Sequence, residues 1–539
     1  MSSTGLTLKT ENPGNRVLLY NVIMNYITIN RQDYSNAIQL KLPLDYIKII
    51  PEDDEIHTFL RVMGRINTEK YLPVKVGRGR KGYNPKKMLN TVLFAYMNQI
   101  YSLRQIEKAI KTDIRFMYLM EEEEPSFKTI GEFISSLEGT IHDIYVEINK
   151  AILSMDDSIE DKETLYIDGT AYEANARKTS FVWKKTALNT QDRKLRQANE
   201  LKDKLKDIKK IQSIKSSADI DKLLEQIREQ KTEEMSGFVY GRGKRKKPLQ
   251  RIYDELVKVN EVLRDVEERI SICGEDRNSY SKTDHDATMM HMKYDYYNNT
   301  GVFKPGYNLQ AAVSDEYVTE ILVSNARADS KTLPLTIERY KEDYGGYPIK
   351  AVADAGYGSY TNYMYLLSHG IEAYVKYNTY RLEKQKGLSR FHSRNFQFDG
   401  EKSICPEGKE LTFEKEGYTY EDGYLKITNH YRCHDCERCR FKKECTKSDY
   451  GRVIQKNFIL DELKDNARKL LDSEEGLIHR QKRSIYTEGV FGVIKQDYGY
   501  IRLHRRGFEK TELELTLVII GFNLNKYHNK LHRSTMMPA

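Results

Sequence analysis

The sequence predicts an α/β protein with a mixed central sheet, helical segments on either side of it, and insertions between its strands. Three observations predict this. Short apolar runs at 165–167, 306–313, 317–325, 349–353 and 371–377 have the length and patterning of strands. Three-four apolar spacing recurs from 85 to 137, through 187–272 and again over 513–527, as amphipathic helices require. Two of the strand-like runs stop on an aspartate with glycine close behind, Asp168-Gly169 and Asp354-Ala355-Gly356. A sheet that delivers a carboxylate to its edge has this form, although an isolated aspartate there more often only starts a turn.

At 539 residues the chain is long enough for three or four domains, and 39% hydrophobic residues are enough for real cores. No apolar run approaches the ~20 residues of a membrane span. The first residues, MSSTGLTLKTENPGN, lack the layout of a secretory signal, so a cytoplasmic protein is expected. The net charge of +8 is clustered in basic runs at 75–81 (KVGRGRK), 242–247 (RGKRKK) and 502–506 (RLHRR). A solvated surface produces such a run once; three of them, two interleaved with glycine, suit a phosphate backbone. Arg78, Arg80, Arg242, Lys244, Arg245, Arg505 and Arg506 are therefore candidate DNA contacts.

In chain order, 1–80 has no clean period. Residues 81–155 read as an all-α domain: Met88, Leu89, Val92, Leu93, Tyr96 and Met97 mark one helix, and Ser102 with Gln105 forms a capping box for the next. Short helices joined by tight turns suit either a helix-turn-helix DNA reader or a plain bundle. The core begins with 160–186 and resumes at 280–378. Between them, 187–272 predicts a long antiparallel helical hairpin, with Leu201 and Leu205 then Leu223 and Ile227 on one arm and Leu256, Val259, Leu263 and Val266 on the other. Residues 379–460 form a small Cys-rich insertion, and 461–539 supply C-terminal helices that complete the core, one of them running from 480 to 503. Three early strands followed by helix, strand, helix, strand is the order of a ribonuclease H-like mixed sheet.

Three acids then share one logic: Asp168 and Asp354 at strand ends, and Glu488 on the helix that follows the insertions. Each alone reads as a cap or a surface residue. Together at one sheet edge they would repel unless divalent cations neutralised them, and hard oxygen ligands favour Mg²⁺ or Mn²⁺. Two such ions suit in-line phosphodiester displacement. Lys495, seven residues after Glu488 and on the same face of a helix, is placed to hold a DNA phosphate.

The chain resembles the DDE transposases of bacterial insertion sequences, most closely the Insertion-Sequence-1182 family. YIDGTAYEANARKTSFVWKK is similar to that family's first catalytic segment, and AVADAGYGS and EGVFGVIK to the segments around the second Asp and the final Glu. SKTDHDATMM and KPGYNLQAAV look like its linking block and second strand, and SLRQIEKAIKTDIRFMYL and PSFKTIGEF like its helical N-terminal domain. The resemblance implies metal-binding roles for Asp168, Asp354 and Glu488. It also implies cleavage at terminal inverted repeats, joining of 3′-OH ends to target DNA, at least two protomers in the active complex, and action on nucleoid DNA of a bacterial cytoplasm. The helical hairpin is then a natural place for dimer or DNA contacts. A nuclease that cuts without joining, and a DNA-binding protein that has lost catalysis, are the competing readings. Related transposases often have an Arg four residues before the final Glu; here Ser484 stands there, flanked by Arg480 and Arg483, to which the basic role would pass. Asp284 and Asp286 lie in the linking block, where capping a helix that starts near Ala287 is the expected role.

Trp183 suits either base stacking or a core beside Phe181 and Val182, with the core favoured. Of six cysteines, Cys405, Cys433, Cys436, Cys439 and Cys445 have spacings that close a tetrahedral Zn²⁺ site, with Cys439 and Cys445 competing for the fourth place. Cys273 is expected only to pack.

Overall fold

Eight strands precede the Cys-rich region among the described residues: β1 (Thr164–Glu173), β2 (Phe181–Trp183), β3 (Ser279–Ser281), β4 (Thr288–Met292), β5 (Val302–Ser314), β6 (Tyr317–Ser324), β7 (Lys350–Ala353) and β8 (Glu372–Val375). They belong to a computed structural model that describes residues 46–72, 82–205, 213–241, 243–275, 277–292, 302–398 and 402–536. The chain divides into two units, Met1–Ile50 and Pro51–Ala539. In the first, only a short helix, Tyr46–Ile49, is described; everything below concerns the second.

The main sheet runs β4–β5–β1–β7–β8, with β6 also on β5. β1 is antiparallel to β5 and parallel to β7, and β7 is parallel to β8. This is the ribonuclease H-like mixed sheet that the order of elements predicts. Leu165 and Ile167 on β1 are fully buried, each contributing about 2 kcal/mol of transfer free energy. Much of the remaining interior is tyrosine with its hydroxyl satisfied: Tyr145 donates to Val318 O (2.7 Å), Tyr317 to Asp156 Oδ2 (2.6 Å) and Tyr363 to Val375 O (2.8 Å).

β4 is unexpected. The helix anticipated near Ala287 is instead a strand paired antiparallel with β5, because Thr288, Met290 and Met292 are buried while His291 between them is exposed, a period of two. Asp286 still caps a helix, but a distant one: its Oδ2 accepts the Phe508 N–H (3.0 Å) at the start of the C-terminal helix. Asp284 is buried and accepts the Tyr307 hydroxyl (2.9 Å).

Helices Glu55–Met63, Pro85–Met97, Leu103–Thr112, Ile114–Met120, Phe127–Ser135 and Ile141–Met155 form the helical region. The predicted stripe from Met88 to Met97 is buried, and Pro85 sits at the first turn behind an Asn84 cap. The capping box at Ser102 is not formed; its side chain makes no capping bond.

The insertion after β2 is not a two-helix hairpin. Lys184–Asp203, Ser217–Gln230 and Pro248–Cys273 are three helices around one core that includes Leu201, Leu223, Ile227, Leu256 and Leu263. The Leu223 stripe thus belongs to a helix of its own, and the short β2–β3 ribbon closes the base of the insertion. The Cys-rich region is a five-stranded antiparallel sheet of β9 (Gln397–Phe398), β10 (Lys402–Ile404), β11 (Glu410–Glu421), β12 (Tyr424–Arg432) and β13 (Val453–Lys456).

The last helix, Phe508–Met536, runs between the helical region and β6. Its Asn523 is fully buried, accepting Val318 N–H (3.1 Å) and donating to Val318 O (2.7 Å) and Asn149 Oδ1 (2.8 Å). Gly521 touches the other side: a Cβ there would lie 2.5 Å from Tyr96 O and 2.9 Å from Met97 N. Because those are backbone atoms of a packed helix, Gly521→Ala forces the two helices apart. It should destabilise the protein by about 1–3 kcal/mol, read as a lowered urea midpoint at unchanged slope.

Candidate active site

β1 does not stop at Asp168 as its sequence suggests: it continues along β5 to Glu173, and only its parallel pairing with β7 ends at Ile167–Ala353, so the next residues, Asp168 and Asp354, stand side by side where that ladder opens. Asp168 Oδ1 accepts the Gly169 N–H (2.9 Å), and Asp354 Oδ1 accepts the Gly356 N–H (2.7 Å), which fixes both carboxylates at the sheet edge. Glu488 arrives from a helix fastened under the same strands. His479 on that helix hydrogen-bonds the Tyr166 hydroxyl (2.8 Å), and Glu475 accepts the Tyr374 hydroxyl (3.0 Å) and pairs with Lys350.

That helix is regular only from Glu474 to Arg483. Ser484–Glu488 and Val493–Asp497 are π-helical turns around a short α segment, and the helix stops before Gly499 (φ +65°) instead of continuing to 503. The π turns have a chemical consequence. In a π turn, residues five apart share a face, so Arg483 and Glu488 come together. The Arg483 guanidinium donates to Asp168 Oδ2 (2.9 Å) and reaches Glu488 Oε1 (3.5 Å), while Ser484 Oγ donates to Glu488 Oε2 (3.0 Å). The missing arginine at position 484 is thus offset by one at 483 in a wider turn. Lys495 also faces β1, donating to Thr170 Oγ1 (2.6 Å) and Ala171 O (2.8 Å), so here it secures the strand that carries Asp168.

A fourth carboxylate, Asp329, stands beside the first two. Its Oδ1 accepts from Asn308 Nδ2 (2.7 Å) and Gln310 Nε2 (2.8 Å), and the Tyr357 hydroxyl donates to Gln310 Oε1. A Cβ on Gly169 would lie 2.7 Å from Asp329 Oδ1, and one on Gly356 would lie 3.0 Å from Asp354 Oδ1 and 3.7 Å from Asp329 Oδ2. Both glycines are needed for this crowding. Burial pushes the Tyr357 hydroxyl well above its usual range, and the negative charges of Asp329, Asp168 and Asp354 push it further. Asp329 follows a strand by several residues with no glycine behind it, so nothing marks it in the sequence as more than a loop aspartate. Lys376, just beyond β8, is a second unanticipated member. Burial and the nearby Arg483 and Arg480 lower its pKa, against the pull of Asp354 and Glu488.

Hard carboxylate oxygens are the donors that Mg²⁺ and Mn²⁺ take, and Arg483 already shows that Asp168 and Glu488 can share one cation. The three acids are more widely spaced than a closed metal cage. Among the described residues, the set of three ligand atoms within 4.8 Å of one another is elsewhere, at His142, Glu320 and Asp343.

Arg480 is held by Tyr380, donating to its hydroxyl (3.0 Å). Trp183 is not core; it is 43% exposed on β2. Lys244 and Arg245 are exposed in the segment before Pro248. Arg505 donates to Ser135 Oγ (3.0 Å) and Arg506 to Asn175 O (2.6 Å), so both brace chain segments. Arg78, Arg80 and Arg242 lie outside the described residues. Cys405, Cys433, Cys436, Cys439 and Cys445 line one small cavity beside β11, and Cys273 is buried apart from them. The Lys409 N–H points at Cys405 Sγ (3.4 Å) and the Arg452 N–H at Cys436 Sγ (3.4 Å).

The mixed sheet has the strand order of a ribonuclease H-like domain, with Asp168 and Asp354 where the β1–β7 pairing ends and Glu488 on the helix beside them. Residues 404–528 match the family described as Transposase DDE domain, and residues 45–136 match the Transposase domain family DUF772; together they indicate a transposase. Glu488 and Lys495 fall inside the first match; Asp168 and Asp354 lie outside both. No curated protein and no solved structure matches the chain. No helix of the described residues is long and apolar enough to cross a membrane.

Removing Arg483 leaves Asp168 part-buried beside Glu488 without their shared cation. Arg483→Met should therefore destabilise by about 3 kcal/mol, and adding Asp168→Asn should recover most of that loss. A double-mutant cycle by chemical denaturation measures the coupling.

Proposed function

We propose that the protein is a DNA transposase of the Insertion-Sequence-1182 kind, acting on bacterial DNA in the cytoplasm. It binds the terminal inverted repeats of its element, cleaves there and joins the freed ends to target DNA. The observation that carries this reading is the register of β1 on β7, which aligns Asp168 and Asp354, together with the clamping of the Glu488 helix onto β1.

In this reading Asp168, Asp354 and Glu488 would hold two divalent ions, which when bound would supply activation of the attacking oxygen and stabilisation of the leaving one. Asp329 positions the site, fixing the Gln310–Tyr357 network below the two aspartates. In the first reaction water attacks the phosphorus at the element's end, loses its proton, and the 3′-oxygen of the element leaves as a hydroxyl. In the second, that 3′-OH attacks a target phosphodiester, the bond from phosphorus to the target's 3′-oxygen breaks, and the proton lost by the nucleophile is balanced by the one the departing 3′-oxygen takes up. Lys376 and Arg480 supply positive charge on the DNA side of the carboxylates, and exposed Lys244, Arg245 and Trp183 extend contact onto the helical insertion. Pairing two ends calls for two copies of the chain.

The Cys-rich sheet has the donors for a structural Zn²⁺, held by Cys405, Cys433, Cys436 and either Cys439 or Cys445. Burial and neighbouring Cys436 push the Cys433 thiol up to about 12, so a thiolate there needs a cation beside it.

Incubating labelled inverted-repeat ends with plasmid target and Mg²⁺ tests the reading. Asp168→Asn, Asp354→Asn and Glu488→Gln should each reduce cleavage and joined product to background while end binding persists; undiminished cutting by any one removes that residue from the site. Cutting without joined product in the intact protein would leave a nuclease. Asp329→Asn should keep the chemistry but raise the Mg²⁺ requirement by about 10- to 100-fold, measured as the Mg²⁺ concentration at half-maximal cleavage.

A further inference from the structure

A second ligand set lies where the helical region meets the sheet, around Glu320 of β6, two strands across from Ile167. Helix Ile141–Met155 packs on β6 through Tyr145 and Asn149, both of which donate to Val318 O (2.7 and 3.2 Å). At the start of that helix, His142 Nε2 lies 2.8 Å from Asp343 Oδ2, on helix Leu333–Tyr344. Glu320 of β6 completes the group: the imidazole nitrogen and one oxygen of each carboxylate all lie within 4.8 Å of one another.

Glu320 is the informative member. It is fully buried; Oε1 accepts the Ile321 N–H (2.9 Å) and lies 3.7 Å from Arg339 Nε, while Oε2 has no hydrogen-bond partner. A buried, unpaired carboxylate oxygen beside a second carboxylate calls for a proton or a cation. Arg339 does not supply enough charge, because it also pairs with Glu512. With Glu320 ionised and His142 neutral, three carboxylates against one guanidinium leave the group two charges negative, a deficit that a dication fills and a proton on Glu320 fills by half. One imidazole nitrogen with two carboxylate oxygens is a donor set that zinc takes. Tetrahedral donors ~2.1 Å from an ion lie about 3.4 Å apart, a spacing between the 2.8 Å of His142 and Asp343 and the 4.8 Å that bounds the group.

We propose that His142, Glu320 and Asp343 form a Zn²⁺ site, its fourth position left to water, that fastens helix Ile141–Met155 to β6 at the edge of the sheet. It is independent of the cysteine cavity and of the acids at the β1 edge. Burial and Asp343 push the Glu320 carboxyl well above its usual range, so without a metal the same place holds a proton; the experiment separates these two states.

The full-length chain is stripped with EDTA, reloaded with Zn²⁺ and treated with an organomercurial, which releases thiolate-bound zinc. A single zinc per chain should resist the mercurial. It should be lost in His142→Gln and in Asp343→Asn, and retained in Asp168→Asn/Glu488→Gln. His142 is partly exposed, so its variant should fold normally by circular dichroism; reloading should then raise the melting temperature of the parent but not of His142→Gln. Co²⁺ at the site should give visible bands without sulfur charge transfer. Absence of mercurial-resistant zinc, or equal retention in the parent and His142→Gln, overturns the proposal and leaves a shared proton.

Discussion

The pairing of β1 with its two neighbours is the constraint on which the candidate active site depends. Asp168 follows Ile167, which is fully buried and paired with Ala312 on one side and Ala353 on the other. A one-residue slip on either side would turn the apolar side chains of β1 to the wrong face, so the packing of Leu165 and Ile167 fixes where the carboxylate emerges. Asp354 is placed by the same register, since β7 ends one residue before it. The two aspartates are neighbours because the hydrophobic residues before them have only one satisfactory alignment.

The third acid needs a different device. Glu488 is more than three hundred residues from Asp168 in sequence and comes from a helix that must lie across strand ends without sealing them. The anchors at His479, Glu475 and Lys495 fix the helix at both ends. Between them the backbone widens into π turns, which set Arg483 and Glu488 on one face and leave Glu488 61% exposed. A regular α-helix with the same anchors would rotate Arg483 away from Glu488. The guanidinium then does two things at once: it neutralises Asp168, and it ties the helix to the central strand. Like charges would otherwise push these elements apart.

Much of this was legible in the sequence. The aspartates after short apolar runs, and Glu488 with Lys495 behind it, are local patterns, and local patterns survive folding. What the sequence concealed is the part that depends on distant partners. Asp329 is distinguished only by Asn308, Gln310 and two glycines that other strands bring to it. The π turns arise from anchoring at both ends, so a three-four reading carried the helix too far. Ala287–Met292 alternates over too few residues to announce β4 without its partner on β5. The helical insertion divides into three because Leu223 and Ile227 pack against Leu256 and Leu263 from their own helix. Trp183 next to Phe181 and Val182 suggests a core, but on the two-stranded β2–β3 ribbon Val182 is the residue that packs with Tyr280 and Cys273, and its neighbour Trp183 is left exposed.

The helical region and the sheet are joined through β6, and the joint is polar in a place where a purely apolar seam would have sufficed. Asn523 saturates both backbone groups of Val318, Asn149 and Tyr145 add bonds to the same carbonyl, and Glu320 lies two residues further along the strand. Buried polar groups destabilise unless their partners are in place, so such a seam tolerates only one relative position of the helices and the sheet. An apolar seam would allow sliding at little cost. Under the proposed function the helical region and the acids address the same DNA, and the fixed position then matters: the distance from those helices to the β1 edge is set by hydrogen bonds with definite lengths. The proposed ligand set at His142, Glu320 and Asp343 lies on this seam, where a metal would add a further directional constraint to one already imposed by Asn523.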